Sequence, residues 1–548
     1  MKMLIYIISG FIAIIGFIFT LRYSKAQNKK RMLYKIRTQF GKVPDREFNR
    51  ENVRYLMDSE REVCNIDEIT WNDLDMDKVF SKMNNCNSFI GEQVLYKRLH
   101  TIEHDRNEFE NSENMLQRFL DDRKYREDIQ LLLESLGRRK NSYNLPQFIN
   151  ECESFEIMNI WLYRVMSLLL VCSLVLGIII NHNILYAFFI IFLINVVIYA
   201  LGKFRFELHF EMLGTVVAVV TTANTLIQKY NIDDGELEKE SIESAKRMNK
   251  AVKKIVMIQR KMETALSGDV QSLIFDYIIG GTLWEFHVYH RIVVLLKIYK
   301  NEFMKLYNFI GEIDATISIA SYRESIPHYC QPYFHEDNMI HFAEMFHPLI
   351  SNPVCNDVNM KSNHIITGSN ASGKSTYIKA VAINMILAQS INMVLAKKAW
   401  IPYANILTSM AVRDDIASGE SYYIREINYL KRIIMQIRED KLTLCIVDEI
   451  LRGTNTDERI AASVAILNYL NDMNCLAIVA SHDVKISEIL EGKFENCHFG
   501  EVMEQDDILF DYKIKMGVSK SKNAIKLLGH IGFPKEIIKH AEELLLQL

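Results

Sequence analysis

Four short stretches carry residue types suited to handling a phosphate group. In the first, Gly368-x-x-x-x-Gly373-Lys374-Ser375, an apolar His364-Ile365-Ile366 leads in and a helix-compatible IKAVAINMILAQ leads out, the strand, loop and helix context of a P-loop. Gly368 and Gly373 let the backbone turn tightly, so that successive N–H groups and a helix N-terminus face the phosphates. Lys374 would reach the β- and γ-phosphates, Ser375 would ligate Mg²⁺, and Thr376, next in the run, joins the nucleotide-contacting set. Taken alone, the pattern also arises by chance in glycine-rich loops.

The other three stretches lie downstream. In LTLCIVDE, the apolar run Leu444-Cys445-Ile446-Val447 reads as a buried strand delivering Asp448 and Glu449 to its C-terminal end, where a parallel sheet places its chemistry. Asp448 would hold the magnesium through water, and Glu449 would polarise the attacking water as general base; a lone Asp-Glu pair is otherwise a solvated strand end. CLAIVASHD ends a further strand at Ser481-His482, where a histidine can sense a γ-phosphate, although a lone histidine is more often structural. Ser418-Gly419-Glu420-Ser421 precedes YYIREINYLKRI and offers small residues and hydroxyls at a helix N-terminus able to bind phosphate. In this order and spacing the four stretches point together to an ATP and Mg²⁺ site.

The elements that must position these residues divide the chain by character. From about residue 346 short apolar strands alternate with glycine loops and helices, as in NHIITG, LTLCIVDE and CLAIVASH, the pattern of an α/β sheet. Residues 30–160 and 203–345 are charge-rich, nearly proline-free and helical in pattern, so an all-α region is expected to precede the α/β domain. With 548 residues, 49% hydrophobic and 24% charged, the chain has room for several folded domains. Its nine cysteines are scattered without metal-ligand spacing, which fits a reducing compartment and argues against a disulfide framework or a zinc site.

Two uncharged stretches, the second broken near its middle, predict about three transmembrane helices. Residues 3–21 are long enough to cross a bilayer and are followed by the basic RYSKAQNKKRMLYKIR, which reads as an uncleaved anchor with residue 22 onward in the cytoplasm; a signal peptide is the rival, but no small-residue cleavage site follows. Residues 165–202 contain no Asp, Glu, Lys or Arg and are broken by Asn181-His182-Asn183, which predicts two spans joined by a tight turn. Arg164 before the pair and Lys203 and Arg205 after it keep both ends cytoplasmic. A buried helical hairpin is the alternative, against which stands the apolar character of every face. The expected order is therefore an anchor at 3–21, a cytoplasmic helical region at 22–160, a transmembrane hairpin at 165–202, a helical core at 203–345 and an ATPase domain at 346–548.

Collectively, TGSNASGKSTYIK, RDDIASGESYYIRE, VDEILRGTNTDE and ASHD resemble the MutS family, the ABC-type ATPases of DNA mismatch repair and their relatives. YCQPYF followed by HFAEMFHPLI before these motifs, and KMGVSKSKNAIKLLGHIGFPKEIIKHAEELL after them, extend the resemblance; IDEITWNDLDMDKVFSKMNNCNSFIGEQVLYKRLH resembles the start of the family's helical core more loosely. The resemblance implies an ABC-type P-loop ATPase in which Asn370, Val354 and Tyr512 also face the nucleotide. It further implies a homodimer in which Ser418 and Gly419 act on the partner's ATP. Mismatch-reading members carry an N-terminal Phe-x-Glu wedge. Here that region is occupied by the first anchor and a basic segment, and Phe334-His335-Glu336 and Phe342-Ala343-Glu344 match by letter alone, so the resemblance stops short of mismatch reading.

A basic run at Lys246, Arg247, Lys250, Lys253, Lys254, Arg260 and Lys261 could follow a DNA phosphate backbone, or form a solvated or lipid-facing helix surface. The expected function is a membrane-anchored, multi-pass MutS-related ATPase with its catalytic domain in the cytoplasm and an ATP-dependent contact to DNA. An ABC-type transporter, or a membrane scaffold whose ATPase switches a protein partner, is the alternative.

Overall fold

The computed structural model describes residues 20, 23–24, 26–60, 65–102, 106–152, 159–230, 239–253, 280–368, 372–410, 422–451, 455–504, 507–518 and 532–545. The expected anchor at 3–21, apart from Thr20, lies outside the described residues, as do Asn370, Ser418, Gly419 and the basic run beyond Lys253. The chain forms two compact units, one of Met1–Glu62, Met83–Lys97 and Glu110–Ser325, the other of Val63–Lys82, Arg98–Phe109 and Ile326–Leu548.

The first unit is helical throughout its described residues. Its most apolar part is a hairpin of α1 (Ile160–Ile179) and α2 (Ile184–Tyr230). Asn181 tightens the turn by accepting the Asn183 N–H at 3.0 Å. Next to the turn, Gly177 lets the helices approach so closely that a Cβ there would lie 2.8 Å from the Leu185 side chain. Leu168, Val171, Ile178, Phe189, Leu193 and Leu201 point outward from this hairpin and are exposed. Two stretches among the described residues, Ile160–Ile179 and Ile184–Gly202, are long and apolar enough to cross a membrane. Further along α2 the pattern inverts, and Leu213, Val216, Val217, Val220, Ala223 and Leu226 are buried in the unit's interior.

α3 (Trp284–Ile298) and α4 (Lys300–Ser325) complete that interior. Asp314 of α4 is fully buried and accepts the N–H groups of Asn87 and Ser88 at 2.8 and 2.7 Å and the Ser88 hydroxyl at 2.6 Å. It thereby satisfies the otherwise unpaired donors at the start of the helix Phe89–His100, where a carboxylate is also favoured by the helix dipole. Gly91 on this helix has its reason here: a Cβ on Gly91 would stand 2.4 Å from an Asp314 carboxylate oxygen.

The second unit contains two sheets built from β1 (Tyr333–Phe334), β2 (Ile340–Met345), β3 (Asn356–Met360), β4 (Asn363–Thr367), β5 (Lys398–Ile401), β6 (Asn405–Ser409), β7 (Thr443–Asp448), β8 (Cys475–Ser481), β9 (Phe494–Glu504) and β10 (Asp507–Met516). The smaller sheet runs β1-β5-β2-β3 and the larger β10-β9-β4-β8-β7-β6. In the larger sheet β6, β7, β8, β4 and β9 are parallel, and β10 pairs antiparallel with β9. β4, β7 and β8 are buried along their whole length, as strands in a helix-covered parallel sheet should be. Among the described residues, α5 (Lys374–Ile391), α6 (Tyr422–Gln436), α7 (Thr456–Asn471) and the short helix Val484–Ile489 connect these strands.

A short helix from far upstream, Glu68–Asp73, docks on β6 within this second unit. Asp73 accepts the Thr408 hydroxyl at 2.7 Å and the Met410 N–H at 3.0 Å, and Arg432 of α6 pairs with Asp67 at 2.9 Å.

Candidate functional site

Adjacent strands of the larger sheet deliver their following residues to one edge. Thr367 of β4 is level with Ser481 of β8, and Ala480 of β8 is level with Asp448 of β7. Gly368, His482 and Glu449 thus begin the connections leaving three neighbouring strand ends, the place where parallel sheets form ligand crevices.

After β4 the chain turns through Gly368 at φ +142° and Gly373 at φ +101°. A Cβ at Gly368 would meet the Phe499 carbonyl oxygen at 2.9 Å, and one at Gly373 would meet the Tyr512 ring at 3.1 Å, so both the conformation and the space call for glycine. Gly373 caps α5, and Lys374 is that helix's first residue. The Lys374 side chain is buried, and its Nζ donates to the Gly368 carbonyl oxygen across the loop. A buried ammonium is costly unless paired; here the Gly368 carbonyl oxygen is its partner. Ser375 is exposed and Thr376 half-buried on the first turn of α5.

Asp448 is buried at the end of β7. Glu449 follows at φ +60°, an uncommon conformation for a residue with a side chain, and its N–H donates to the Ala480 carbonyl at 2.9 Å. The Glu449 carboxylate lies 2.8 Å from His482 Nε2, so two residues picked separately from the sequence meet as a pair. Beyond them, the Ser481 hydroxyl accepts the Asp483 N–H at 3.0 Å, and Arg459 of α7 pairs with Asp483 at 2.8 Å.

Beside the glycine loop is a cavity of about 420 Å³ whose lining includes His347, Val354, Gly373, Thr376, Phe499 and Tyr512. The structure brings Val354 and Tyr512, far apart in sequence, to the same space as the start of α5. Tyr512 adopts φ +52° where the β9–β10 register breaks between Phe510 and Ile514. Asn356 splints that irregularity: its Nδ2 donates to the Tyr512 carbonyl and its Oδ1 accepts the Ile514 N–H, each at 2.9 Å. Sequence reasoning missed Asn356, whose one signal was an amide two residues past Val354. It also missed His347, whose Nδ1 accepts the Leu349 N–H at 3.1 Å. Burial above all, with help from Lys379, holds the His347 imidazole down to about 4, so it is neutral at neutral pH.

Among the described residues no group of three His, Cys, Asp or Glu is arranged to hold a metal ion. Lys246, Arg247 and Lys250 are exposed on the helix Lys239–Lys253, where Arg247 pairs with Glu243 at 3.2 Å.

Fold and site define an α/β domain whose mainly parallel sheet presents a glycine loop, an acidic pair and a histidine along one edge. The family model described as MutS domain V matches residues 364–548. The DNA mismatch repair protein MutS of Pseudothermotoga lettingae is 32% identical over 272 residues, covering 48% of this chain and 33% of that protein. MutS of Listeria monocytogenes serotype 4a is 30% identical over 292 residues, covering 51% and 34%, and MutS of Thermotoga sp. strain RQ2 is 30% identical over 261 residues, covering 46% and 32%. Over residues 364–548 the chain is thus similar to the MutS family in its domain V. It spans about a third of the length of these curated relatives.

Proposed function

We propose that the second unit binds and hydrolyses ATP with Mg²⁺, as an ABC-type ATPase held at a membrane. The observation that carries this reading is the convergence of Lys374, Asp448 and the Glu449–His482 pair on three adjacent strand ends. The glycine loop and the N-terminus of α5 would hold the phosphates, with the Lys374 ammonium exchanging its bond to the Gly368 carbonyl for the β- and γ-phosphate oxygens. Magnesium bound through phosphate oxygens requires only one or two protein ligands, and the hard oxygens of Ser375 and Asp448 suit it. When bound it offsets the charge that develops on the phosphates. Glu449 is placed to take a proton from an attacking water while His482, donating from Nε2, fixes its carboxylate. The base in the cavity would lie against Tyr512 and Val354, beside Thr376.

Asn370 enters this reading through the family resemblance alone; Ser418 and Gly419 enter it as a phosphate-binding stretch that the resemblance assigns to a partner subunit's ATP in a homodimer. α1 and the first part of α2 are read as spans, with Asn181 to Asn183 on the outer side and the second unit, with the first unit's helical core, on the cytoplasmic side. DNA is the expected macromolecular ligand, contacted through basic surface such as Lys246 and Lys250.

The test is to purify the full chain in detergent and measure ATP binding, then hydrolysis with homoduplex, mismatched, branched and no DNA. Magnesium-dependent hydrolysis that DNA stimulates supports the reading. Failure of the wild-type chain to bind ATP overturns it.

A further inference from the structure

We propose that the turn Gly280–Leu283 and the first turn of α3 form a third membrane-inserted element, lodged between α1 and α2 within the apolar layer. This rests on reading Ile160–Ile179 and Ile184–Gly202 as spans.

The contacts come from both helices. Asn195 of α2 is buried and donates from Nδ2 to the Gly281 carbonyl at 3.0 Å. Ser167 of α1 donates to the Thr282 carbonyl at 2.9 Å and lies 2.9 Å from His287 Nε2. The Tyr199 hydroxyl donates to the Glu285 carboxylate at 2.6 Å. A backbone carbonyl or carboxylate in water needs no such partners, whereas in hydrocarbon each one left unpaired costs several kcal/mol. Polar residues in two otherwise apolar helices are thus committed to this one turn.

Packing repeats the message. A Cβ at Gly280 would lie 2.2 Å from the Tyr199 ring and one at Gly281 2.3 Å from the Phe192 ring, so two consecutive glycines seat the backbone directly on the α2 aromatics. Phe286 fills the space left by Gly202, where a Cβ would lie 2.4 Å from its ring, and it also packs 4.6 Å from the Tyr163 ring.

Depth follows from helix geometry. Asn195 precedes Gly202, the last residue of the apolar stretch, by about two helical turns, or about 10 Å along the axis. The Gly281 carbonyl that it holds shares that depth, inside a hydrocarbon layer about 30 Å thick. Thr282 and Trp284 are exposed on the outer side of the turn, so they would face lipid, with the Trp284 indole suited to the headgroup boundary. The segment expected to be wholly cytoplasmic from residue 203 would then return to the membrane.

The full chain is reconstituted into phosphatidylcholine and phosphatidylglycerol vesicles. A nitroxide is attached through an azide-bearing residue replacing, one at a time, Phe189, Thr282 or Lys305, and its collisions with oxygen and with a water-soluble nickel chelate are compared. The inserted turn predicts nickel accessibility at position 282 within about threefold of position 189 and about tenfold below position 305. A lipid-shielded position 189 with a nickel-accessible position 282 overturns the inserted turn while leaving the spans standing. A nickel-accessible position 189 overturns the membrane reading and the inserted turn together. As a second variant, Asn195→Leu should raise nickel accessibility at position 282 severalfold without changing position 189; unchanged accessibility there contradicts the role given to Asn195.

Discussion

The strand-end edge of the second unit and the apolar hairpin of the first treat polar groups in opposite ways. Along the β4, β8 and β7 ends, charged side chains are drawn inward: Lys374 is buried against a carbonyl, Asp448 is buried, and Glu449 is paired with His482. In the hairpin, apolar side chains are turned outward and the few polar ones look inward to a neighbouring turn. Charges that a fold keeps at such expense mark a place where chemistry can be done; apolar surface that a fold leaves uncovered marks a place where the surroundings must be apolar.

The largest expected effect breaks the first half of this comparison. Lys374→Ala removes the cation that bonds the Gly368 carbonyl, and ATP affinity measured by calorimetry should fall by about 100-fold, in line with losing charge-assisted hydrogen bonds of about 3 kcal/mol. Retained wild-type affinity would place the nucleotide elsewhere.

The second half is broken by a charge on the hairpin. Ile190 is exposed on α2, and Ile190→Lys should oppose insertion by about 3 kcal/mol, lowering the fraction of chain that stays with membranes after alkaline extraction. Unchanged retention would argue that this face does not meet lipid.

Asn356→Ala sharpens the comparison at the cavity. Loss of both hydrogen bonds to the Tyr512 bulge should weaken ATP binding by about tenfold, through about 1–2 kcal/mol of lost positioning, while Lys374 and Glu449 remain untouched. Wild-type affinity would mean that the bulge holds without its splint.

The smallest effect is invisible at neutral pH. His347 has its folded pKa lowered to about 4 from 6.5, so between those values the unfolded chain binds more protons. Its contribution to stability is therefore constant above pH 6.5 and is lost as pH falls toward 4, by about 2 kcal/mol at pH 5. His347→Gln should flatten that part of the dependence of melting temperature on pH; a slope identical to wild type would remove His347 as its source.

What the sequence disclosed and what it withheld differ in range. The glycine loop, Asp448-Glu449 and Ser481-His482 were legible because each is a local signal: an unbroken apolar run sets a buried parallel strand, and the next residue stands at the sheet's edge by construction. The positive φ of Glu449 and its pairing with His482 were not legible, since they depend on β7 and β8 being neighbours in register. Val354 and Tyr512 were named through resemblance, but their meeting requires the β10 irregularity that Asn356 stabilises, and nothing near Asn356 in the chain announces it. Gly91 lies in a stretch noted only for its looser resemblance, and the carboxylate that makes it necessary lies on α4, far along the sequence. The hairpin was readable from composition. The Gly280-Gly281 turn seated on it was not, because its apolar surroundings are supplied by other helices.

The most direct test of the central claim follows ATP binding and a single turnover on the same preparation of Glu449→Gln in the full chain. Glutamine keeps the size of the side chain and a hydrogen-bonding partner for His482 but gives up the base. ATP affinity should stay within about threefold of wild type while the rate of the chemical step falls by about 100- to 10,000-fold. A chemical step at the wild-type rate with ATP bound would contradict the assignment of Glu449 as the base at this sheet edge.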